Sequence, residues 1–352
     1  MITRRTFGIA GAATLAGVAA GTPLRASAQA APDVAGLQGA DRTQRLIDGA
    51  KREGTISIYA SMPVEDMQVI TAAFEQKYGV KATIWRASSE NLLQRVVTEA
   101  RARRFEVDIV ETNGPELEAL HRERILVPVR SPLLTELLPA AVQPHGEWVG
   151  TRLNVYALAY NTNLVKKEEL PNSWAGFVDA KWRGRLGIEA ENWDWFAAVV
   201  SKLGEEQGLR IFREIVAGPG ISIRRGHTLL SNLVASGEVP LALTIYDYRG
   251  EQLRASGAPV DFYYIQPTPA RVNGVAMHRA APRPHAAALF YDFMLSDAQD
   301  ILAQRGFSPT NIKRKPLPAG LDINIINSAQ MLAEGQKWQA LWRDTVTRGA
   351  RG

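Results

Sequence analysis

The sequence predicts an α/β protein built from two sheet-and-helix units. Three observations carry this prediction. Short β-rich runs alternate with helix-period segments from residue 55 to about 123, the pattern of a parallel sheet with crossover helices. The alternation resumes at residue 154 with a second set of runs. Nearly every β-rich run ends in a polar loop that opens a helix, which is where ligands sit in open α/β sheets.

The elements follow in chain order. "TISIYA" (55–60) reads as a strand, and Met67, Ile70, Phe74 and Tyr78 share one face of the helix behind it, which Gly79 stops. "VKATIW" is a second strand, followed by a helix opening at Ser88 or Ser89. "VDIV" (107–110) is a third, with proline at the start of the helix "PELEALHRE". In the second unit "NVYALAYNT" (154–162), "RLGIE" (185–189), "PLALTIY" (240–246), "PVDFYYIQ" and "RVNGVAMH" read as strands. Helices are predicted over "WDWFAAVVSKLG", "EEQGLRIFREIVA" and "HTLLSNLVASG", and in the tail over "PHAAALFYDFMLS", "AQDILAQRG" and residues 322–347. "RVNGVAMH" reads as the chain crossing back to the first unit.

The start of the chain is a targeting segment. Arg4 and Arg5 precede a mildly apolar stretch from Ile9 to about Ala20, and Ala26-Ser27-Ala28 is a small-residue cleavage site. The arginine pair between Thr3 and Phe7 fits a twin-arginine export signal covering residues 1–28. A membrane anchor is disfavoured because the stretch is short and rich in Gly and Ala. The leader's three arginines account for three of the five formal positive charges, so basicity is weak evidence for nucleic acid. The chain has no cysteine, which excludes disulfides, thiolate nucleophiles and iron–sulfur clusters. It shows no G-x-S-x-G elbow, no H-E-x-x-H and no phosphate loop, and its five histidines have no metal-ligand spacing, so no enzyme is expected.

The polar loops supply the site candidates. They are Ser61 after the first strand, Arg86, Ser88 and Ser89 after the second, and Glu111 and Asn113 after the third. The second unit adds Glu191, Asn192 and Asp194 in "EAENWDW", Arg225 in "RRGH", and Tyr246 and Tyr248 in "YDYR". Serine and asparagine at helix starts are also ordinary caps, and acids favour a helix's first turn. Arg152 and Arg271 are further cleft candidates, with nothing to rank them.

The order and spacing of "EGTISIYASMPVEDMQVITAAFEQKYGVKATIW", "GEWVGTRLNVYALAYNTNLV", "SWAGFVDAKWRGRLGIE" and "AALFYDFMLSDAQDILAQRGFSPTN" resemble the extracellular solute-binding proteins of ABC importers, within them the ferric-iron-type branch. The resemblance implies a two-lobed, type II clamshell periplasmic fold with two hinge-crossing strands. Lobe one would hold residues 30–155 plus 268–352, including the C-terminal helices, and lobe two residues 156–267. It also implies a periplasmic monomer that delivers a small solute to a membrane permease and its ATPase. A ligand-sensing subunit of a signalling system would look the same in sequence.

Three solute classes stay open, one of them an amine or other cation, which the acids and tryptophans of "EAENWDWF" suit. Ferric iron, as cargo and not as a resident cofactor, wants hard oxygen ligands. In the family's iron binders two adjacent tyrosines close the second-lobe strand. Tyr246 falls at the first position, Asp247 at the second, and Tyr248 is displaced by one, so Tyr246, Tyr248 and Glu111 form the expected metal set. An anionic organic or phosphorus-containing ligand would instead use Arg86, Ser88, Ser89, Asn192 and Arg225. Asn192 matches a position the family uses for the anion accompanying iron.

Overall fold

The computed structural model describes residues 30–314, 317 and 320–348, so the leader read at 1–28 lies outside the described residues. Helices α1 (Ala31–Ala35) and α2 (Arg42–Glu53) precede β1 (Thr55–Ala60). Neither helix was expected. Helix α2 packs on the later α10 (Pro284–Leu295), where Arg42 pairs with Asp292. Strand β1, α3 (Val64–Tyr78), β2 (Lys81–Arg86), α4 (Ser89–Arg101), β3 (Ile109–Asn113) and α5 (Gly114–Arg122) then alternate as the sequence predicts. The three strands run parallel in the order β2-β1-β3. Met67, Ile70 and Phe74 of α3 are fully buried, and Gly79 ends the helix in the left-handed region at φ 71°.

Two long strands join this half to the next. After the short β4 (Leu126–Val127), β5 runs from Trp148 to Asn161, and β10 runs from Thr268 to His278. They pair antiparallel from Ala270↔Val155 to Ala276↔Trp148. Strand β10 also pairs with β3 of the first half, while β5 continues into the second half. A register shift falls between Asn273 and Gly274, where a Cβ on Gly274 would lie 2.3 Å from the Val149 carbonyl oxygen. Only glycine permits that approach.

The second half holds β6 (Leu186–Glu189), α6 (Trp193–Leu203), α7 (Glu205–Ala217), β7 (Ser222–Arg224), α8 (His227–Ser236), β8 (Leu241–Tyr246), α9 (Asp247–Ala255) and β9 (Val260–Tyr263). Strands β7, β6 and β8 are parallel and extend the sheet from β5. Trp195 and Phe196 pack inward with Phe212 in edge-on pairs, and Trp174 joins them, so the apolar face of α6 anchors it behind the sheet.

Helices α10 and α11 (Asp297–Gln304) return to the first half, with β11 (Ser308–Pro309) on β5 and β12 (Ile323–Ile325) on β10. The last helix, α12 (Ser328–Trp342), contacts both α5 and α6. Its Trp342 indole N–H donates to the Ala190 carbonyl at 2.8 Å. Among the described residues no helix is long and apolar enough to cross a membrane.

Candidate functional site

The strand ends of the two halves face one another across a cavity of about 440 Å³. Ten of the loop candidates line it: Ser61, Arg86, Ser88, Ser89, Asn113, Glu191, Asn192, Arg225, Tyr246 and Tyr248. Their local roles differ. Ser88 caps α4, accepting the Asn91 N–H at 3.4 Å. Ser89 accepts from Asn113 Nδ2 at 2.8 Å. Asn192 stands at the start of α6 yet makes no capping bond, and its Nδ2 is buried without a partner. Capping therefore does not explain Asn192. Arg225 is 83% exposed and meets Glu191 at 3.0 Å at the rim.

Glu111 and Asp194 do not line the cavity; each stands behind an arginine that does. The Glu111 carboxylate is fully buried and accepts from Arg152 Nη1 at 2.6 Å and from the backbone N–H groups of Ser61 and Met62. Asp194 is held by Arg271, whose Nε donates to Oδ2 at 2.6 Å and whose Nη2 donates to Oδ1. Burying an unpaired guanidinium costs several kcal/mol, so each carboxylate compensates its arginine's charge and fixes it in place. Arg152 and Arg271 both reach the cavity.

These arginines belong to a pattern that the sequence reading missed. Strand β5 carries Arg152-Leu153-Asn154 and β10 carries Arg271-Val272-Asn273. The register sets Arg152 opposite Asn273 and Asn154 opposite Arg271. Residues two apart on a strand share a face, and all four line the cavity. The signal was the repeated Arg-x-Asn triplet. Its meaning depends on an antiparallel register between distant segments, which one sequence does not reveal.

The two tyrosines converge from different elements. Strand β8 ends at Tyr246, and Tyr248 lies in the first turn of α9, yet their rings stack 5.9 Å apart. Arg271 Nη1 donates to the Tyr246 hydroxyl at 3.0 Å. Burial pushes the Tyr246 phenol up to about 12 against the pull of Arg271, and burial raises Tyr248 further. His227 packs on Tyr246 at 4.1 Å. Burial, then the Arg271 charge, lowers its pKa to about 3, so it is a neutral imidazole whose Nδ1 has no partner. Glu189 is raised by burial, yet its oxygens accept from the Gly226 and Glu191 backbones, which fixes the two loops at the mouth.

Outside the cleft, Glu118, His121 and His145 bring potential ligand atoms within 4.8 Å of one another. The two imidazoles stack 3.8 Å apart at 11°. Lone pairs in near-parallel planes do not meet at one ion. His121 is also paired with Glu147, and His145 with Glu118.

The match to bacterial extracellular solute-binding proteins covers residues 114–333. "Iron uptake protein A1" of Synechocystis sp. is 25% identical over 79% of this chain and 80% of its own length. Among solved structures, iron-bound HitA from Pseudomonas aeruginosa superposes with TM-score 0.73 at 24% identity, over 83% of this chain and 99% of that one. AfuA from Actinobacillus pleuropneumoniae, solved with fructose-6-phosphate, gives 0.74 at 21%, over 84% and 99%. Both are two-lobed periplasmic binding proteins, and this chain shares that fold. The chain belongs to the bacterial extracellular solute-binding proteins.

Proposed function

We propose that this chain is the periplasmic solute-binding component of an ABC importer and that its solute is an organic anion. The observation that carries the anion is the pair Arg152 and Arg271. Arg152 is buried and Arg271 is 11% exposed, both are held by carboxylates behind them, and both line one cavity. The cavity volume lies in the range of small-molecule sites and far exceeds a single ion. Ser61, Arg86, Ser88, Ser89, Glu191, Asn192, Arg225, Tyr246 and Tyr248 are the proposed contacts, with Glu111 and Asp194 acting through their arginines. Lobe one takes residues 30–155 and the return from 268, and lobe two takes 156–267, with β5 and β10 as the hinge. The protein works as a monomer, releases its solute unchanged to a permease driven by an ATPase, and reaches the periplasm by the twin-arginine route.

Ferric iron is the second reading. It is favoured by the stacked Tyr246 and Tyr248 in the cavity and by the relative named for iron uptake. Against it, Glu111 is already committed to Arg152, and Arg271 already holds the Tyr246 hydroxyl. Titration of metal-stripped protein with organic anions by calorimetry, and with ferric citrate by visible absorbance, separates the two. The anion reading expects saturable heat and no charge-transfer band. A saturable band lost in Tyr246→Phe would replace it with iron.

A further inference from the structure

We infer that the ligand carries two anionic groups with hydroxyls between them, because the cleft floor is a two-fold repeat of one anion-binding unit. This rests on the anion reading above and narrows it. Each unit holds an arginine, a carboxylate behind it, an asparagine from the other strand and a nearby tyrosine. Arg152 stands with Glu111 and Asn273, and its charge acts on Tyr248. Arg271 stands with Asp194, Asn154 and Tyr246. The antiparallel register relates the units by a half-turn.

Donor capacity remains in both units. A guanidinium has five N–H groups. Arg152 gives one nitrogen to Glu111, and its Nε is buried without a partner. Arg271 engages all three nitrogens, but each Nη carries a second hydrogen. Diagonal neighbours on paired strands lie about 7–8 Å apart at the backbone, so the two heads address separate points on a ligand. A single-ended anion meets one of them and leaves the other's buried donors unmet.

The hydroxyls follow from acceptors. Asn154 Oδ1 and Asn273 Oδ1 are buried in the cavity wall without donors. Asn273 Nδ2 donates to Asn113 Oδ1 at 3.2 Å, and Asn113 in turn donates to Ser89, so this relay leaves Asn273 Oδ1 as the atom to be met. A buried acceptor left unmet costs free energy, and a carboxylate brings no proton to it. An ammonium would, but it would sit beside two guanidiniums. A neutral hydroxyl carries no such repulsion.

The test is calorimetry on the full mature chain with matched probes. Tartrate and galactarate are two-ended and hydroxylated, succinate and adipate are two-ended without hydroxyls, and lactate and gluconate are one-ended. At least one of tartrate and galactarate should bind tenfold or more tighter than its hydroxyl-free partner and a hundredfold tighter than lactate or gluconate. Asn154→Ala with Asn273→Ala should remove only the hydroxyl advantage. Arg152→Met with Glu111→Met, which leaves no unpaired charge, should bring the diacid down to the one-ended level. Gluconate or inorganic phosphate binding as tightly as the diacids overturns the two-ended ligand and leaves the anion reading standing. Equal binding of hydroxylated and plain diacids overturns the hydroxyls. Binding of ferric ion with no response to any anion overturns both.

Discussion

Arg152 is 2% exposed and gives one nitrogen to a carboxylate that is itself fully buried, whereas Arg271 is 11% exposed and shares its nitrogens between Asp194 and Tyr246. Both halves place a cation at the base of the cleft, yet they hold it differently. The first half surrounds Glu111 with backbone donors as well, so the pair is locked into β1 and β3. The second half gives Asp194 one backbone donor, the Trp195 N–H at 2.8 Å, against two for Glu111. The difference teaches that the first unit is built for rigidity, with donor capacity in reserve. The second has a phenol that a ligand can displace.

The largest expected effect breaks the first unit. Glu111→Ala should lower the unfolding free energy by about 3–5 kcal/mol, because a guanidinium is left buried and unpaired. Urea titration reads it, and adding Arg152→Met should recover most of the loss. If the single variant unfolds at the wild-type midpoint, the rigid half is misread. Asp194→Asn should cost less, about 2 kcal/mol, since Arg271 keeps Tyr246 and some water. A loss as large as that of Glu111→Ala would erase the contrast. Tyr246→Phe removes one hydrogen bond and should cost about 1 kcal/mol in the same titration.

The last expected effect concerns acid. His227 in the second half and His278 in the first are both depressed by burial, to about 3 and about 4. Their folded pKa values lie below the unfolded 6.5, so between these values the unfolded chain binds more protons. The stability they contribute is complete above about pH 6.5 and falls as pH drops towards 3 or 4. His227→Gln should flatten the decline in urea midpoint between pH 7 and pH 4, and His278→Gln should flatten it slightly less. An unchanged slope in both variants would mean that carboxylates alone set the acid limb.

Local patterns were legible where chemistry is local. The first three strands, the helix stop at Gly79 and the cap at Ser88 all follow from residues within a few positions of each other. The cavity lining was legible for the same reason, since polar residues just past an apolar run betray a strand end. Helix α2 escaped notice because charges interrupt its face at Leu46 and Ala50, and its partner α10 lies far along the chain. Glu111 and Asp194 were placed in the right region, but not behind their arginines, because the pairing crosses between elements. Asn154 and Asn273 were not singled out at all. Nothing around either one reports the strand that will face it.

The two arginines stand on the strands about which the halves would turn. A pull applied at a pivot has no lever arm. A solute caught by Arg152 and Arg271 is held firmly, but that grip exerts little torque on either jaw. The turning moment falls to exposed residues out on the loops, such as Arg86 and Arg225. On the proposed site, capture and closure would then fall to different side chains, and the protein could be tuned for one without retuning the other.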